Sequence, residues 1–142
     1  MLNYEDLIGN ILFNVYDKKT SGCNDDFLEM KGFKRDFGED GDGYISYSFI
    51  SENNDEGQET LHTVILETLS GDVLYTEDNE DFITGINEPR YVDDLTLEMQ
   101  ELIYTELNRS ISRMIHDLRK YCLILIFYMN KKEKIYLILI FF

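Results

Sequence analysis

The segment Asp36–Asp94 carries almost all of the charge imbalance of this chain. Its 59 residues include 17 acidic side chains and one basic side chain, Arg90, so its net formal charge is −16. The complete chain has a formal charge of −15, which leaves the remaining residues close to neutral. Apolar runs such as Tyr44–Ile50 and Leu61–Leu69 separate the acids. The segment therefore predicts a folded acidic surface that must tolerate its own electrostatic repulsion.

The length and composition of the chain predict one domain with its own core. The 142 residues are 44% hydrophobic and include 10 Tyr and 9 Phe, which is unlike a disordered acidic protein. We expect a single α+β domain over residues 1–122 and an apolar tail over 123–142. Cys23 and Cys122 lack any metal-binding spacing, and the first residues lack the basic start of a signal peptide. Both observations favour a cytoplasmic protein with reduced thiols.

Two segments have the apolar periodicity of amphipathic helices. The first is Asn3–Lys18, in which Asn3 is placed as the N-cap and the apolar positions form one stripe. The second is Leu95–Tyr121, with Asp94 or Thr96 as its cap and apolar residues at steps of three and four. We expect this long helix to lie across a sheet. The stripe of the first helix consists of Leu7, Ile8, Ile11, Leu12 and Val15.

The residues between these helices predict an antiparallel sheet of three to four strands. Phe27–Phe37 is a candidate first strand. Tyr44–Ser51 follows, with Ile45, Tyr47 and Phe49 alternating against two serines, as in a half-buried strand. Gln58–Leu69 fits either a strand or a helix. Its β-branched residues favour a strand, which Ser70–Asp72 would join to Val73–Glu77 as a hairpin.

The C-terminal tail contains two apolar runs, Leu123–Met129 and Ile135–Phe142, separated by the polar segment Asn130–Lys134. Neither run approaches the roughly 20 residues that cross a bilayer as a helix. A β-hairpin, a helical extension with a loose end, or a tail that touches a membrane would each fit. An exposed apolar run promotes aggregation. We therefore expect either the fold or a second subunit to cover the tail, and in the second case the chain would be a homo-oligomer.

The sequence contains no catalytic motif. His62 and His116 have no chemical partners nearby in the sequence, and no serine or cysteine lies in a nucleophile motif such as GxSxG. The glycines of Gly38–Gly43 lie among carboxylates, which would repel a phosphate. We therefore predict neither an enzyme nor a cofactor site.

The turn Gly38–Gly43 partly matches the calcium-binding loop of an EF-hand. Asp40 and Asp42 correspond to its third and fifth positions, but Gly38 and Phe49 occupy positions one and twelve, where the loop needs carboxylates. The flanking residues also predict strands, whereas an EF-hand has helices. We therefore predict an acidic turn with no specific metal site.

A strongly negative surface is suited to a basic partner. Nucleic-acid-binding proteins have grooves of Lys and Arg that accept phosphates. Alternate residues on a strand lie about 6.8 Å apart, or about two base-pair rises of DNA, so carboxylates could imitate a phosphate row. Tyr44, Tyr47, Tyr75 and Tyr91 could add anchoring contacts. The residues predicted to bind the partner are Asp40, Asp42, Tyr44, Tyr47, Asp55, Glu56, Glu77, Asp78, Glu80 and Asp81.

In its size and in the acidic character of Asp36–Asp94, the chain resembles the small acidic inhibitors made by phages and other mobile elements. These include anti-CRISPR proteins and anti-restriction DNA mimics, several of which combine a short antiparallel sheet with helices. The resemblance implies an inhibitor that covers the basic nucleic-acid-binding groove of a defence nuclease, for example a Cas nuclease, and does not bind nucleic acid itself. The alternatives are an immunity protein or antitoxin against a basic nuclease toxin, and an acidic cytosolic protein without a mimicry role.

Overall fold

The computed structural model describes residues 3–17, 25–53, 57–79, 88–121, 124–129 and 134–139. The fold is α+β, as predicted. A short 3-10 helix at Val92–Asp94 precedes the last α-helix. The other elements are α1 (Tyr4–Asp17), α2 (Asp25–Met30), β1 (Phe33–Asp36), β2 (Tyr44–Asn53), β3 (Gln58–Glu67), β4 (Val73–Asn79), β5 (Arg90–Tyr91), α3 (Leu97–Tyr121), β6 (Ile124–Met129) and β7 (Lys134–Leu139).

Strands β1 to β5 form one antiparallel sheet in the order of the chain. The sheet has five strands, whereas the sequence predicted three to four. The additional strand is β5, whose two residues pair with Leu74 and Tyr75 of β4. A strand of two residues cannot show an alternating pattern, so periodicity could not reveal it. The predicted strand at Gln58–Leu69 is confirmed as β3, and the helical alternative is wrong.

Helix α1 begins where the cap was predicted. The Asp6 amide donates to Asn3 Oδ1 at 3.2 Å, which satisfies one of the free N–H groups at the start of the helix. The five residues of the predicted stripe are all buried in α1. The helix therefore packs on the sheet through the face that its apolar spacing indicated.

The prediction of a strand over the whole of Phe27–Phe37 is wrong, because the segment is divided between α2 and β1. Two acidic residues lie in the first turn of α2, where their negative charge interacts favourably with the positive end of the helix dipole and stabilises the helix. Gly32 ends the helical turn with a φ of 91°, a conformation that glycine adopts without strain. Its carbonyl then accepts from the Ser48 amide at 2.8 Å, which joins this turn to β2.

Helix α3 is the second long helix of the core and packs beside α1. The Met99 amide donates to Thr96 Oγ1 at 3.2 Å, so Thr96 is the cap. Ile103, Leu107 and Met114 are fully buried and belong to one core cluster with α1 and the sheet. A polar contact also ties the same helix to the turn between α2 and β1, since Ser110 Oγ donates to the carbonyl of Lys31 at 3.1 Å.

The residues of β2, β3 and β4 alternate between two faces of the sheet. The side chains of the inner face pack against α1 and α3, and they include Ile45, Tyr47, Phe49, Thr60, His62, Val64, Leu66, Val73 and Tyr75. The side chains of the outer face are partly or fully exposed. They are Tyr44, Ser46, Ser48, Ile50, Glu52, Glu59, Leu61, Thr63, Ile65, Glu67, Leu74, Thr76 and Asp78.

Strands β6 and β7 pair antiparallel, with Ile124 opposite Leu139 and Met129 opposite Lys134. Three structures were predicted for the tail, and the observed pairing corresponds to the β-hairpin. Within the described ranges, no helix has both the length and the apolar character to span a membrane.

Candidate docking face and buried polar network

The outer face of the sheet carries acidic side chains at two ends. At one end lie Asp42, just before β2, and Glu67, the last residue of β3. At the other end Glu52 and Glu59 are paired directly across β2 and β3, and Asp78 lies nearby on β4. The ends are eight residues apart along β2, or about 27 Å at the usual rise of a strand.

The centre of the outer face carries no acidic side chain, and the basic residue Lys34 of β1 lies beside it, directly opposite Ser46. Ser48 and Thr63 are cross-strand partners whose hydroxyls lie 2.9 Å apart, and Thr76 continues the same row on β4. Ile65 and Leu74 form a second, apolar row beside it. No carboxylates alternate along these strands at the spacing of DNA phosphates. The described part of the face therefore presents two acidic ends rather than a continuous row.

Four acids of the outer face have no ion-pair partner among the described residues. Asp42, Glu52, Glu59 and Glu67 form no ion pair with any basic side chain in the described ranges. The ion pairs that do form lie elsewhere, and include Lys31 with Asp117 and the exposed pair of Arg109 with Glu106. These four acids therefore face one another without a paired basic side chain, and Lys34 is a basic residue that the register places on the same face.

The structure separates the ten residues predicted to bind a partner. Asp40 and Asp42 are exposed in the turn before β2, Asp78 is exposed on the outer face, and Tyr44 is half-buried on the same face. Asp42, Tyr44 and Asp78 therefore belong to one side of the sheet. Four further predicted contact residues, Asp55, Glu56, Glu80 and Asp81, lie outside the described residues.

Of the other predicted contact residues, Tyr47 and Tyr75 point into the protein, whereas Glu77 is partly exposed. Tyr47 is only 5% exposed, and its hydroxyl donates to the carbonyl of Glu106 at 3.3 Å. Tyr75 is fully buried, so neither ring is available to a partner. Glu77 lies at the border of the inner face, where it accepts a hydrogen bond from Tyr75 and lies 3.9 Å from Arg90. Strand alternation accounts for these corrections, since Tyr47 shares a face with Ile45 and Phe49.

A small cavity opens at the Asp42 end of the outer face. This turn notch has a volume of about 370 Å³, and its walls include Asp42, Tyr44, Ile65, Glu67 and Leu69. Leu69 is 75% exposed, which is unusual for a large apolar side chain. The notch therefore combines an open apolar wall with two uncompensated carboxylates.

Hydrogen bonds between two turns hold the notch in shape. The Thr68 amide donates to the carbonyl of Gly43 at 3.0 Å, and its hydroxyl donates to the same carbonyl at 2.7 Å. Gly43 is buried, and a side chain there would collide with the Tyr16 hydroxyl and the carbonyl of Asp36. The two turns are consequently fixed to each other and to α1.

The inner face contains a polar network that the sequence did not predict. His62 was expected to lack partners, but its Nδ1 lies 2.6 Å from the Tyr75 hydroxyl and its Nε2 lies 2.6 Å from the Ser51 hydroxyl. The Tyr75 hydroxyl donates onward to Glu77 Oε2 at 2.8 Å. The expectation of an isolated histidine is therefore wrong, because strand pairing places these four residues together.

The direction of each bond follows from the proton inventory of the groups. Tyr75 has one hydroxyl proton and gives it to Glu77, so the bond between the two rings requires Nδ1 of His62 as the donor. A neutral ring then leaves Nε2 to accept from Ser51. Burial lowers the pKa of His62, which favours this neutral form. Burial and the bond to Glu77 raise the pKa of Tyr75, which keeps its hydroxyl protonated.

This network resembles a nucleophile, a base and an orienting group, but its surroundings support a structural role. His62 is 3% exposed, and its ring stacks on Phe49 with the centroids 4.6 Å apart. A substrate's leaving group would need access to Nε2, which lies inside this packing. The network therefore satisfies polar groups that the sheet buries.

The turn before β2 connects two strands, as predicted. Asp40 has a φ of 60°, which lies in the left-handed region that aspartate tolerates better than most residues. Within the described residues, no group of three or more His, Cys, Asp or Glu side chains could hold a metal ion.

Comparisons of this chain with known proteins identify no related protein or family. A scan against protein-family models, a search of curated proteins and a search of solved structures each found no match.

Proposed function

We propose that this protein is an acidic inhibitor that docks through its outer face onto the basic nucleic-acid-binding groove of a defence nuclease. The supporting observation is the set of carboxylates Asp42, Glu52, Glu59 and Glu67, which have no ion-pair partner among the described residues and surround a centre without acidic side chains. A groove of Lys and Arg would supply the missing counter-charges and relieve their repulsion.

The geometry favours contact at two separated acidic ends, with the hydroxyl and apolar rows between them. Charges at the ends would mainly accelerate association, whereas the closely packed centre would set the lifetime of the complex. The resemblance to anti-CRISPR and anti-restriction inhibitors suggests the same class of partner. Inhibition would then consist of excluding the nuclease's DNA from its groove.

The first experiment identifies the partner and the role of charge. The tagged full chain is used to capture proteins from a host lysate at low salt and again at about 1 M salt, where charges are screened beyond about 3 Å. We expect a nuclease that is captured at low salt and lost at high salt. A nuclease toxin in its place would assign the protein to the immunity or antitoxin class.

The second experiment tests the outer face against that nuclease. The triple variant Asp42→Lys, Glu52→Lys and Glu67→Lys should fold and should no longer displace labelled DNA in a fluorescence anisotropy assay. The control reverses three exposed acids outside this face, Glu29, Glu88 and Glu101, so the net charge changes equally. The proposal fails if both variants lose inhibition to the same extent, or if the outer-face variant retains full potency.

A further inference from the structure

The turn notch has the chemistry of a site for one cationic side chain with an apolar stem. Tyr44, Ile65 and Leu69 provide apolar walls, while Asp42 and Glu67 provide negative charge. An anionic ligand would be repelled, and a purely apolar ligand would desolvate the carboxylates without compensation. At about 370 Å³, the volume lies at the lower end of the roughly 300–1,000 Å³ of small-ligand pockets.

Arginine fits these features better than lysine. Its planar guanidinium can stack on an aromatic ring and can donate several hydrogen bonds in a fixed fork. Register places Tyr44 directly opposite Glu67, so a ring and a carboxylate are neighbours on this face. Asp42 lies just before β2 in the same cavity wall. A guanidinium above the Tyr44 ring could therefore reach a carboxylate from its edge.

The notch is formed before any ligand arrives. The two hydrogen bonds from Thr68 to the carbonyl of Gly43 fix the spacing of the turns. Because this geometry is preorganised, an incoming side chain would lose its own freedom without also ordering the walls.

We propose that the turn notch is an arginine-binding subsite that receives one exposed arginine from the partner's nucleic-acid-binding groove. This inference rests on the proposed function, which supplies a groove rich in such side chains. The notch would anchor the Asp42 end of the outer face, whereas Glu52 and Glu59 at the other end would contribute long-range attraction.

A peptide titration tests the subsite without any partner. The probe is the blocked tripeptide acetyl-Gly-Arg-Gly-amide, added to the isotope-labelled full chain while backbone amide signals are followed by NMR. We expect saturable shifts centred on Tyr44, Glu67 and Leu69, with a Kd on the order of millimolar. The same peptide with citrulline retains the shape but lacks the charge, and it should bind about tenfold more weakly.

Two matched variants separate the subsite from general attraction to an acidic protein. Glu67→Gln removes one carboxylate from the notch and should weaken the arginine peptide about tenfold. Glu52→Gln removes the same charge at the other end of the outer face and should leave the affinity within about twofold. Both positions are exposed, and the dispersion of the amide spectrum checks that each variant is folded.

Three results would overturn the inference. Equal effects of Glu67→Gln and Glu52→Gln would indicate non-specific charge attraction. Equal binding of the citrulline peptide would exclude a charged subsite, and equal binding of a lysine peptide would exclude selectivity for arginine.

These results are distinguishable from failure of the proposed function. A chain that binds the arginine peptide but displaces no DNA from its captured partner would retain the subsite and lose the function. A chain that inhibits through the outer face but does not bind the peptide would support the proposed function and exclude the arginine subsite.

Discussion

The two faces of the sheet differ in how their polar and charged groups are compensated. On the inner face, the polar groups of Ser51, His62 and Tyr75 are joined in a chain of hydrogen bonds that ends on Glu77. On the outer face, acids such as Glu52 and Glu59 oppose each other without counter-charges in the described ranges. The polar groups of the inner face are therefore satisfied within the fold, whereas the outer face has charges without an ion-pair partner in the part of the chain that the structure describes.

The largest expected difference between the faces concerns burial of a charge. Ile111→Asp places a carboxylate at a position that is 8% exposed in the core, whereas Ile50→Asp places it at a position 61% exposed on the outer face. A buried Ile→Ala change typically lowers the free energy of unfolding by about 2–5 kcal/mol. Ile111→Asp should lower it by more, because the new carboxylate is also desolvated. The second should cost about 1 kcal/mol or less. Urea unfolding of both variants provides the comparison.

An equal loss of stability in the two variants would contradict this assignment of faces. Unchanged stability in Ile111→Asp would show that α3 does not pack on the sheet.

A smaller difference is expected for hydrogen bonds. Tyr75→Phe removes the hydroxyl that joins His62 to Glu77 and leaves the buried Nδ1–H group without an acceptor. We expect a loss of about 1–3 kcal/mol in the free energy of unfolding. Ser48→Ala breaks the bond to Thr63 on the outer face, where water can replace the lost partner, so it should cost less than about 1 kcal/mol.

Chemical denaturation of Tyr75→Phe and Ser48→Ala at neutral pH measures the two effects. Equal costs would mean that the inner network is no better shielded from water than the outer pair.

The inner network should also make stability depend on pH. Burial holds the pKa of His62 below its ordinary value of 6.5. As pH falls through about 6.5, the unfolded chain therefore binds a proton that the folded chain does not. The free energy of unfolding should decrease between pH 7 and pH 5, by at most about 1.4 kcal/mol per pH unit for this one group.

The test compares unfolding of the wild type and His62→Gln across that range. His62→Gln should reduce the slope even if it lowers stability at every pH. The variant His116→Gln removes a histidine from the exposed side of α3 and serves as the control for histidine content. An unchanged slope in His62→Gln would exclude His62 as the source of the dependence.

Periodic features of the fold could be predicted from the sequence, whereas features that depend on register could not. The α1 stripe, the alternation of β2 and the choice of Asp94 or Thr96 as the cap of α3 each follow from a local pattern, and the structure selects Thr96. Helix α2 was not predicted, because six residues contain too few turns to give a periodic apolar pattern. Two local signals were nevertheless present in the sequence: the acidic residues before Leu28 and the glycine at position 32, which can end a helix. Assigning Tyr47 to the surface disregarded the alternation that placed Ile45 in the core.

The sites depended on information that no local pattern contains. His62 meets Ser51 and Tyr75 only because β3 pairs with β2 and β4 in one particular register. The turn notch likewise depends on the bonds from Thr68 to Gly43, which join turns 25 residues apart. Charge excess predicted an acidic surface, but the grouping of its acids at two ends required the structure.

The smallest expected effect tests whether the outer-face acids are uncompensated. Glu52 and Glu59 lie directly opposite each other on β2 and β3, and like charges in this arrangement destabilise a sheet. Glu59→Gln removes the repulsion while keeping the shape, so it should raise the free energy of unfolding by about 0.2–1 kcal/mol at low salt. The gain should shrink near 1 M salt, because screening already weakens the repulsion there.

The matched variant Glu88→Gln removes an exposed acid from the segment before β5 and should give a smaller gain. Precise denaturant midpoints for the wild type and both variants at two salt concentrations are sufficient, because the comparison depends on differences. A loss of stability in Glu59→Gln would mean that a proton or cation already neutralises the pair. The outer face would then lack the uncompensated charge that docking to a basic groove requires.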